Sequence, residues 1–204
     1  SRTTIHGTGG TAKILMAGAG PAFEFRGTHT TSADPGGFRP EEWQHERMPT
    51  LRDIEIEGLH PEADGVKIIG VMQPTLTGVL IRQVRHGVHI TQRARNVLIS
   101  HCHIYRNTGI GVYLDRVNLH QTIITGSHIS YNRLGGIRIE NSEIRNLQIT
   151  GNDIEYNNNR AIKVPDADDV PTAEIYIDCG EGGSVREGTI CSNTIQATYS
   201  PNGA

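Results

Sequence analysis

The sequence predicts an all-β solenoid built from coils of about 25 residues. The first observation is a set of columns that recur every 25 residues, and the second is that the segments between Gly and Asn are short, β-branched runs of alternating polarity. A repeat of this length made of strands cannot bury its apolar side alone, so successive coils must stack. The recurring columns are Ile99, Ile124 and Ile149; Ile104, Ile129 and Ile154; and Asn107, Asn132 and Asn157.

The clearest copies of the repeat begin at Asn96, Gln121 and Asn146. Weaker copies precede them in DIEIEGL with ADGVKI and in GVLIRQV with HGVHI, and GTICSNTI follows them. No proline occurs between Pro74 and Pro165, which agrees with paired strands because proline cannot donate a backbone hydrogen bond. The repeat therefore runs through most of the chain.

Stacking brings equivalent residues of successive coils together. We expect Val112, Ile137 and Ile162 to share one column of the core, and the repeated asparagines to form a ladder at a turn, where Asn tolerates unusual backbone angles. Residues 1–204 are predicted to form a single β-helical domain that belongs to a longer chain. Its two long interruptions are loops, at 28–48 and at 165–187.

The composition narrows the class of protein further. Twenty-four glycines and 5% aromatic residues disfavour a helical bundle, and no apolar run is long enough to cross a membrane. A net charge of -3 gives no overall field to gather nucleic acid, so we expect neither a nucleic-acid partner nor membrane insertion. Three cysteines do not make a disulfide framework, although one bridge between Cys179 and Cys191 is conceivable.

The repeat and the glycine-rich opening IHGTGGTAKILMAGAGPAFEF resemble the right-handed parallel β-helix family, the pectin-lyase-like superfold of pectate lyases, polygalacturonases, alginate epimerases and phage tailspikes. The resemblance covers roughly residues 51–196 and implies the fold more strongly than the activity. The pairs Asp64-Gly65 and His86-Gly87 resemble parts of the polygalacturonase pattern. They occupy consecutive coils, however, and no acidic pair precedes Ile137, which argues against that activity.

The strands GVKII, GVHIT, GVYLD, GIRIE and AIKVP should present three outward columns, because side chains alternate along a strand and neighbouring coils lie about 4.8 Å apart. The first column is nearly bare backbone, which could let a ligand approach closely, and the second is mostly cationic. The three columns are Gly65, Gly87, Gly111, Gly136 and Ala161; Lys67, His89, Tyr113, Arg138 and Lys163; and Ile69, Thr91, Asp115, Glu140 and Pro165.

A cationic strip beside a glycine floor suits an anionic sugar chain and β-elimination. In that mechanism Arg138 and Lys163 neutralise a uronate carboxylate, and Tyr113 or His89 removes the neighbouring proton. The same side chains could instead form an ordinary solvated strand face. The expected substrate-binding residues are Lys67, Asp115, Glu140 and Trp43, the last of these in the 28–48 loop.

Two smaller clusters carry alternatives. Asp115 and Glu140 lie one coil apart, which is compatible with a retaining glycosidase pair or with Ca²⁺ as a cofactor, although an ion pair with Arg138 explains them more simply. A further column in the other strand could ligate a transition metal, although its spacing matches no recognised metal motif. Its members are His103, His128, Asp153 and Thr194.

These observations lead to a secreted or cell-surface β-helix that acts on an acidic polysaccharide by lyase or epimerase chemistry. The competing hypothesis is a non-catalytic glycan-binding or structural module of a surface protein or tailspike. Exposed coil ends invite edge pairing, so further domains or oligomerisation are expected partners besides the polysaccharide.

Overall fold

The computed structural model describes residues 3–8, 12–30, 37, 39–165 and 172–196, and within them the chain winds into a parallel β-helix. Every strand pairing is parallel and joins equivalent strands of neighbouring coils. The described elements are β1 (Thr4–His6), β2 (Lys13–Met16), β3 (Gly20–Arg26), α1 (Pro40–His45), β4 (Thr50–Arg52), β5 (Glu55–Gly58), β6 (Ala63–Ile69), β7 (Val71–Met72), β8 (Thr75–Thr77), β9 (Leu80–Arg82), β10 (Val88–Ser100), β11 (His103–Tyr105), β12 (Val112–Thr125), β13 (His128–Ser130), β14 (Ile137–Glu140), β15 (Glu143–Thr150), β16 (Asp153–Glu155), β17 (Ile175–Asp178), β18 (Ser184–Arg186), β19 (Thr189–Cys191) and β20 (Thr194–Gln196).

Two sheets run along the stack. The smaller follows the order β2-β5-β9-β11-β13-β16-β20, and the larger follows β1-β4-β8-β10-β12-β14-β17 with six further strands paired to it. The long strands β10 and β12 pass around corners, so the larger sheet covers more than one side of the solenoid. Hydrogen bonds between neighbouring coils join residues 23, 24 or 25 positions apart.

Each coil turns at four corners, and each corner repeats a left-handed backbone angle from coil to coil. Such angles are uncommon outside glycine, and Asn, Asp and Gly occupy many of these positions. The corner N–H commonly donates to a carbonyl of the next coil, as His101 does to Thr125. The corner columns are Gly70, Gln92, Arg116, Asn141 and Gly180; Met48, Gln73, Asn96, Gln121, Asn146 and Glu187; Asp53, Gly78, His101, Gly126, Gly151 and Ser192; and Gln83, Arg106, Tyr131 and Tyr156.

The core is a set of stacked aliphatic columns that are fully buried in the middle coils, such as Ile81, Ile104, Ile129 and Ile154. One predicted column is wrong at its last member. The partner of Ile137 is Ile175, whereas Ile162 lies half-buried in a turn closed by its N–H to the Asn159 carbonyl. The segment AIKVP ends in proline, which cannot donate to a sheet, and EIYID provides the strand instead.

The predicted asparagine ladder is confirmed. Asn107 Nδ2 donates to Asn132 Oδ1 at 2.8 Å, and Asn132 Nδ2 donates to Asn157 Oδ1 at 2.9 Å. The next position of the ladder is the buried Glu174, which accepts from the Asn157 backbone N–H at 3.1 Å and from its side-chain amide. Burial raises the pKa of this carboxyl group to about 7, against the lowering effect of the Asn157 bonds.

Part of the 28–48 loop is a packed structure. Helix α1 places Glu42 in the interior, where its Oε2 lies 3.2 Å from Nδ1 of the buried His29. Trp43 is 39% exposed, and the Arg47 guanidinium lies over its ring at 4.3 Å. Arg47 forms a bridge to Met72, so this tryptophan sits beside β7 and not beside the predicted column of His89. Residues 31–36 and 38 of this loop, and 166–171 of the second, lie outside the described residues.

Apolar side chains are exposed on the last described coil, where Ile177, Ile190 and Ile195 are 39–45% exposed. The expectation of further domains or an oligomer stays a prediction. Cys102, Cys179 and Cys191 are free thiols, so the conceivable Cys179–Cys191 bridge is not formed. Among the residues that the structure describes, none belongs to a helix with the length and apolar character needed to cross a membrane.

Candidate functional site

The groove face is the outward side of β6, β14 and β17 together with residues 88–91 of β10 and 112–115 of β12. Lys67, His89, Tyr113 and Arg138 are register partners on successive coils, as the sequence predicts. The fifth partner is Tyr176 and not Lys163. Because the chain leaves the stack before β17, Lys163 is exposed in a turn and cannot join the column.

The glycine column is packed between neighbouring coils and does not leave space for a ligand. A Cβ atom on Gly111 would lie 2.7 Å from the Gly136 carbonyl oxygen and 2.8 Å from Ile129 Cγ2. All four glycines are buried, and the fifth place belongs to Glu174 instead of Ala161. These glycines are required because neighbouring coils approach closely there.

Arg138 is committed to an internal ion pair. Its Nη2 lies 2.6 Å from Glu140 Oε1, its guanidinium stacks on Tyr176 at 4.7 Å, and the side chain is only 10% exposed. Burial raises the pKa of the Glu140 carboxyl group, but the bonds from Arg138 and Tyr113 outweigh it and lower the pKa overall. Arg138 is therefore poorly placed to neutralise a substrate carboxylate.

Tyr113 is a hydrogen-bond donor, not a base. Its hydroxyl donates to Glu140 Oε2 at 2.7 Å. Burial, followed by that hydrogen bond, raises the pKa of the phenol well above its ordinary value, so the group stays protonated. The ring also stacks on His89 with centroids 5.3 Å apart, and these two rings provide a flat surface of the kind that sugars contact.

His89 and Asp115 form the most unusual pair on the groove face. His89 Nε2 lies 3.5 Å from Asp115 Oδ2, and the two side chains are 17% and 5% exposed. His89 Nε2 and Asp115 Oδ1 are both buried without a hydrogen-bond partner among the described residues. Burial lowers the pKa of His89 despite the attraction of Asp115, so the imidazole is neutral at neutral pH. A neutral imidazole oriented by a carboxylate is suited to general-base work.

Asp64 on the preceding coil and His86 on the same coil as His89 extend this cluster. Arg85 grips Asp64 through two hydrogen bonds of 2.9 and 2.6 Å, and the His86 backbone N–H donates to the same carboxylate. The His86 ring lies 5.2 Å from the Tyr113 ring, and burial lowers the pKa of His86 to about 4. Both residues directly precede the recurring glycine of their coil, in the pairs Asp64-Gly65 and His86-Gly87, and this shared position is the signal in the sequence that marks them.

Lys67 is the available cation on the groove face. It is half-buried, pairs in register with Glu24 on one side and His89 on the other, and makes no ion pair within 4 Å among the described residues. Glu24 instead bonds Arg26 at 2.6 Å. The remaining predicted residue, Asp115, is paired with Arg116 at 2.6 Å as well as facing His89.

The predicted metal column lies on the other sheet. His103, His128, Asp153 and Thr194 are register partners. Glu155 joins them, because His128 Nε2 lies 3.3 Å from Glu155 and 3.6 Å from Asp153. His128, Asp153 and Glu155 could hold a metal ion through one nitrogen and two oxygens, although a partly exposed ion pair has the same arrangement. Asp115 and Glu140 are not in this group, and each is paired with an arginine.

Residues 43–177 match the family described as right handed beta helix region, and the chain therefore belongs to the right-handed β-helix family. The match spans the groove face, the asparagine ladder and most of the small sheet, and it agrees with the parallel stack. Neither the curated proteins nor the solved structures contain a match to the chain. The chemistry must therefore be argued from the side chains themselves.

Proposed function

We propose that this β-helix is a carbohydrate-active enzyme that binds a uronate-containing polysaccharide across the groove face, with His89 as the base. The observation that carries the proposal is the enclosed pair of His89 and Asp115, in which His89 Nε2 and Asp115 Oδ1 lack hydrogen-bond partners among the described residues. Buried polar groups are normally satisfied, and exceptions concentrate at functional sites. The proposal includes a secreted or cell-surface location, where such polymers occur.

The structure supports a different assignment of roles from the one that the sequence suggested. Lys67, one coil from His89, is the cation that can meet the uronate carboxylate. With Nε2–H turned toward Asp115, the lone pair of His89 lies on Nδ1, which is the atom that would take the substrate proton. Tyr113 and Tyr176 offer rings against which sugars pack. Arg138 and Lys163 take no direct part.

The reaction begins when His89 removes the proton from the carbon beside the carboxyl group, which Lys67 has made more acidic by neutralising its charge. In elimination the electron pair of that bond forms a carbon–carbon double bond as the neighbouring carbon–oxygen bond breaks. The imidazolium then returns its proton to the departing oxygen. In epimerisation the neighbouring carbon–oxygen bond stays intact, water gives a proton to the opposite face of the carbon, and the imidazolium protonates the hydroxide that is left.

Product formation tests the proposal. Purified protein is incubated with pectate, alginate and glycosaminoglycans, and unsaturated uronates are followed by ultraviolet absorbance while epimers are followed by NMR. Substitution His89→Gln should lower turnover at least about 100-fold with little change in polymer binding. His101→Gln, at an exposed third-corner position, is the matched control and should keep full activity.

The acid limb of the rate profile adds a sharper test. His89 must be neutral to act, and its lowered pKa predicts activity that persists below the ordinary histidine pKa of about 6.5 and is lost only at lower pH. Absence of product from every polymer, or full activity of His89→Gln, would contradict the proposal.

A non-catalytic glycan-binding module is the second candidate. The ion pairs of Arg85, Arg116 and Arg138 favour it, because a face whose charges are internally satisfied can hold sugars by stacking and hydrogen bonds alone. Under this alternative, Tyr113→Ala and Tyr176→Ala weaken polymer binding while no polymer is altered.

A further inference from the structure

A second column of register partners, here called the basic row, lies on another side of the solenoid beyond the first corner, and its members Met72 and Arg95 are only 1% and 7% exposed. Its members follow one register through the stack, from the end of the 28–48 loop to β18. Five of its six side chains are arginine or histidine. The members are Arg47, Met72, Arg95, His120, Arg145 and Arg186.

The basic row concentrates positive charge in a chain whose net charge is -3. Arg47 and Arg186 make no ion pair within 4 Å among the residues that the structure describes, and Arg145 has one contact, to Glu143 at 3.3 Å. Like charges on adjacent strands destabilise a sheet. Arg145 and Arg186 hold like charges on adjacent coils, an arrangement suited to an anionic ligand that offsets their repulsion.

Buried donors in and beside the row have no partners among the described residues. Arg93 is 4% exposed and uses Nη1 to bind the Asn118 carbonyl and side chain at 2.5 Å, while its Nε and Nη2 have no hydrogen-bond partner in the described part of the chain. His120 Nε2 lies 3.0 Å from Asn146 Nδ2, and its buried Nδ1 is likewise without a partner. Burial and then Arg95 lower the pKa of Arg93 to about 10. Burial, followed by Arg95, Arg93 and Arg145, lowers the pKa of His120 against a smaller opposing effect of Glu187.

The aromatic end of the row points to a sugar. Trp43 is stacked on Arg47 and remains 39% exposed. An exposed indole beside the Arg47 guanidinium provides an apolar ring face for a sugar and bidentate donors for a carboxylate or sulfate group.

We propose that the basic row binds a linear acidic polysaccharide lying along the solenoid axis, with its anionic groups on Arg47, Arg145 and Arg186 and one sugar ring against Trp43. The choice of polymer rests on the proposed function, whereas the anionic character of the ligand rests on the row alone. One position per coil gives a step of about 4.8 Å. A single-stranded nucleic acid fits less well, because it needs aromatic rings for successive bases and the row has one.

Trp43 is the single tryptophan of the chain, so its fluorescence reports directly on the row. Polygalacturonate and heparin are titrated into the protein, with dextran as the uncharged polymer and oligothymidylate as the nucleic-acid arm. The acidic polysaccharides should change the tryptophan emission and bind more weakly as salt is raised from about 50 to about 200 mM. Dextran should leave it unchanged.

Arg145→Gln and Arg186→Gln should each weaken binding about fivefold to tenfold. The matched control is Arg106→Gln, which removes the same charge from an exposed fourth-corner position and should leave affinity unchanged. Circular dichroism and thermal unfolding check that each variant is folded. Equal loss in the control, no binding of either acidic polysaccharide, or equal binding of oligothymidylate would overturn the proposal.

The two proposals fail separately. His89→Gln should bind acidic polymer with wild-type affinity, since His89 lies on the groove face. A tryptophan response without any product would leave the basic row standing and remove the catalytic proposal. Product formation that is independent of Arg145 and Arg186 and accompanied by no polymer-induced tryptophan response would do the reverse.

Discussion

The groove face and the basic row are built by the same stacking of coils, yet they differ in how their charges are balanced. Three arginines on or beside the groove face each lie 2.6 Å from a carboxylate, in the pairs Arg85–Asp64, Arg116–Asp115 and Arg138–Glu140. At the basic row, Glu143 lies 3.3 Å from Arg145, and Arg93 and His120 have buried donors without partners among the described residues. Cationic residue types alone therefore do not identify an anion site; the position of the nearest acid does.

The largest expected effect concerns the floor of the groove face. In Gly87→Ala the new Cβ would lie 2.5 Å from both the Gly111 carbonyl oxygen and Ile104 Cγ2, so we expect a loss of at least about 3 kcal/mol in the free energy of unfolding. Gly18→Ala is the control, because no atom lies within 4 Å of its Cβ, and it should stay within about 0.5 kcal/mol of wild type. Urea unfolding measures both. Similar stability of the two variants would mean that the floor is open to ligands after all.

The next effect separates two carboxyl groups by pH. The pKa of Glu174 is raised from about 4.5 to about 7, so the folded state holds a proton that the unfolded chain has lost. Its contribution is present below about pH 4.5 and is lost as pH rises toward about 7, at a cost of up to about 3 kcal/mol. The pKa of Glu140 is lowered, so its contribution is present above its ordinary pKa and is lost as pH falls.

Urea unfolding between pH 4.5 and 8 checks this difference. Glu174→Gln should remove the loss of stability on going to higher pH, whereas the exposed-face variant Glu143→Gln should follow the wild-type curve. An unchanged pH dependence in Glu174→Gln would contradict the assignment.

A smaller effect should make the charge balance of the groove face more like that of the basic row. Glu140→Gln removes the carboxylate that pairs with Arg138. Because the Arg138 side chain is only 10% exposed, the substitution should lower the free energy of unfolding by about 1–2 kcal/mol. Loss of the Glu140 charge should also raise the affinity of the groove face for polygalacturonate by roughly fivefold. Glu143→Gln beside the basic row should raise affinity less, because Glu143 lies farther from its arginine, at 3.3 Å from Arg145. Isothermal titration of both variants compares them, and no gain in Glu140→Gln would show that pairing does not restrain this face.

The smallest effect is electrostatic repulsion within the basic row. Arg186→Gln should raise the melting temperature by about 1 °C at low salt, and the gain should vanish at high salt. Arg116→Gln on the groove face removes an attractive partner of Asp115 and should give no gain. Thermal unfolding at two salt concentrations distinguishes the two, and a gain in both would indicate a general charge effect.

Much of the fold could be predicted because its signal is periodic. Columns such as Ile104, Ile129 and Ile154 require only that equal side chains stack. The prediction for the last strand of the groove face was wrong for a local reason. AIKVP resembles the repeat in sequence, but EIYID forms the strand. An insertion precedes EIYID, so a pattern of fixed period does not find it. At the site, Lys67, His89, Tyr113 and Arg138 were aligned correctly.

The sequence could not show which of those four side chains is bonded to another residue of the protein instead of being available to a ligand. The bond from Arg138 to Glu140 and the pKa of Tyr113 depend on side-chain directions and burial, which periodicity does not contain. The basic row was not predicted, because its members lie between two corners, in a short stretch where no distinctive residue type marks the repeat.

The asparagine at the third corner shows how this architecture can grow. Asn152 bonds Asn193 across 41 residues with the same donor and acceptor atoms by which Ser127 and Asn152 are joined across 25. Contact between coils thus depends on where the chain re-enters the stack and not on the length of the segment that lies outside it. The excursion before β17 is a permissive position, where whole segments could be gained or exchanged during evolution, or grafted by design, without disturbing the groove face or the basic row.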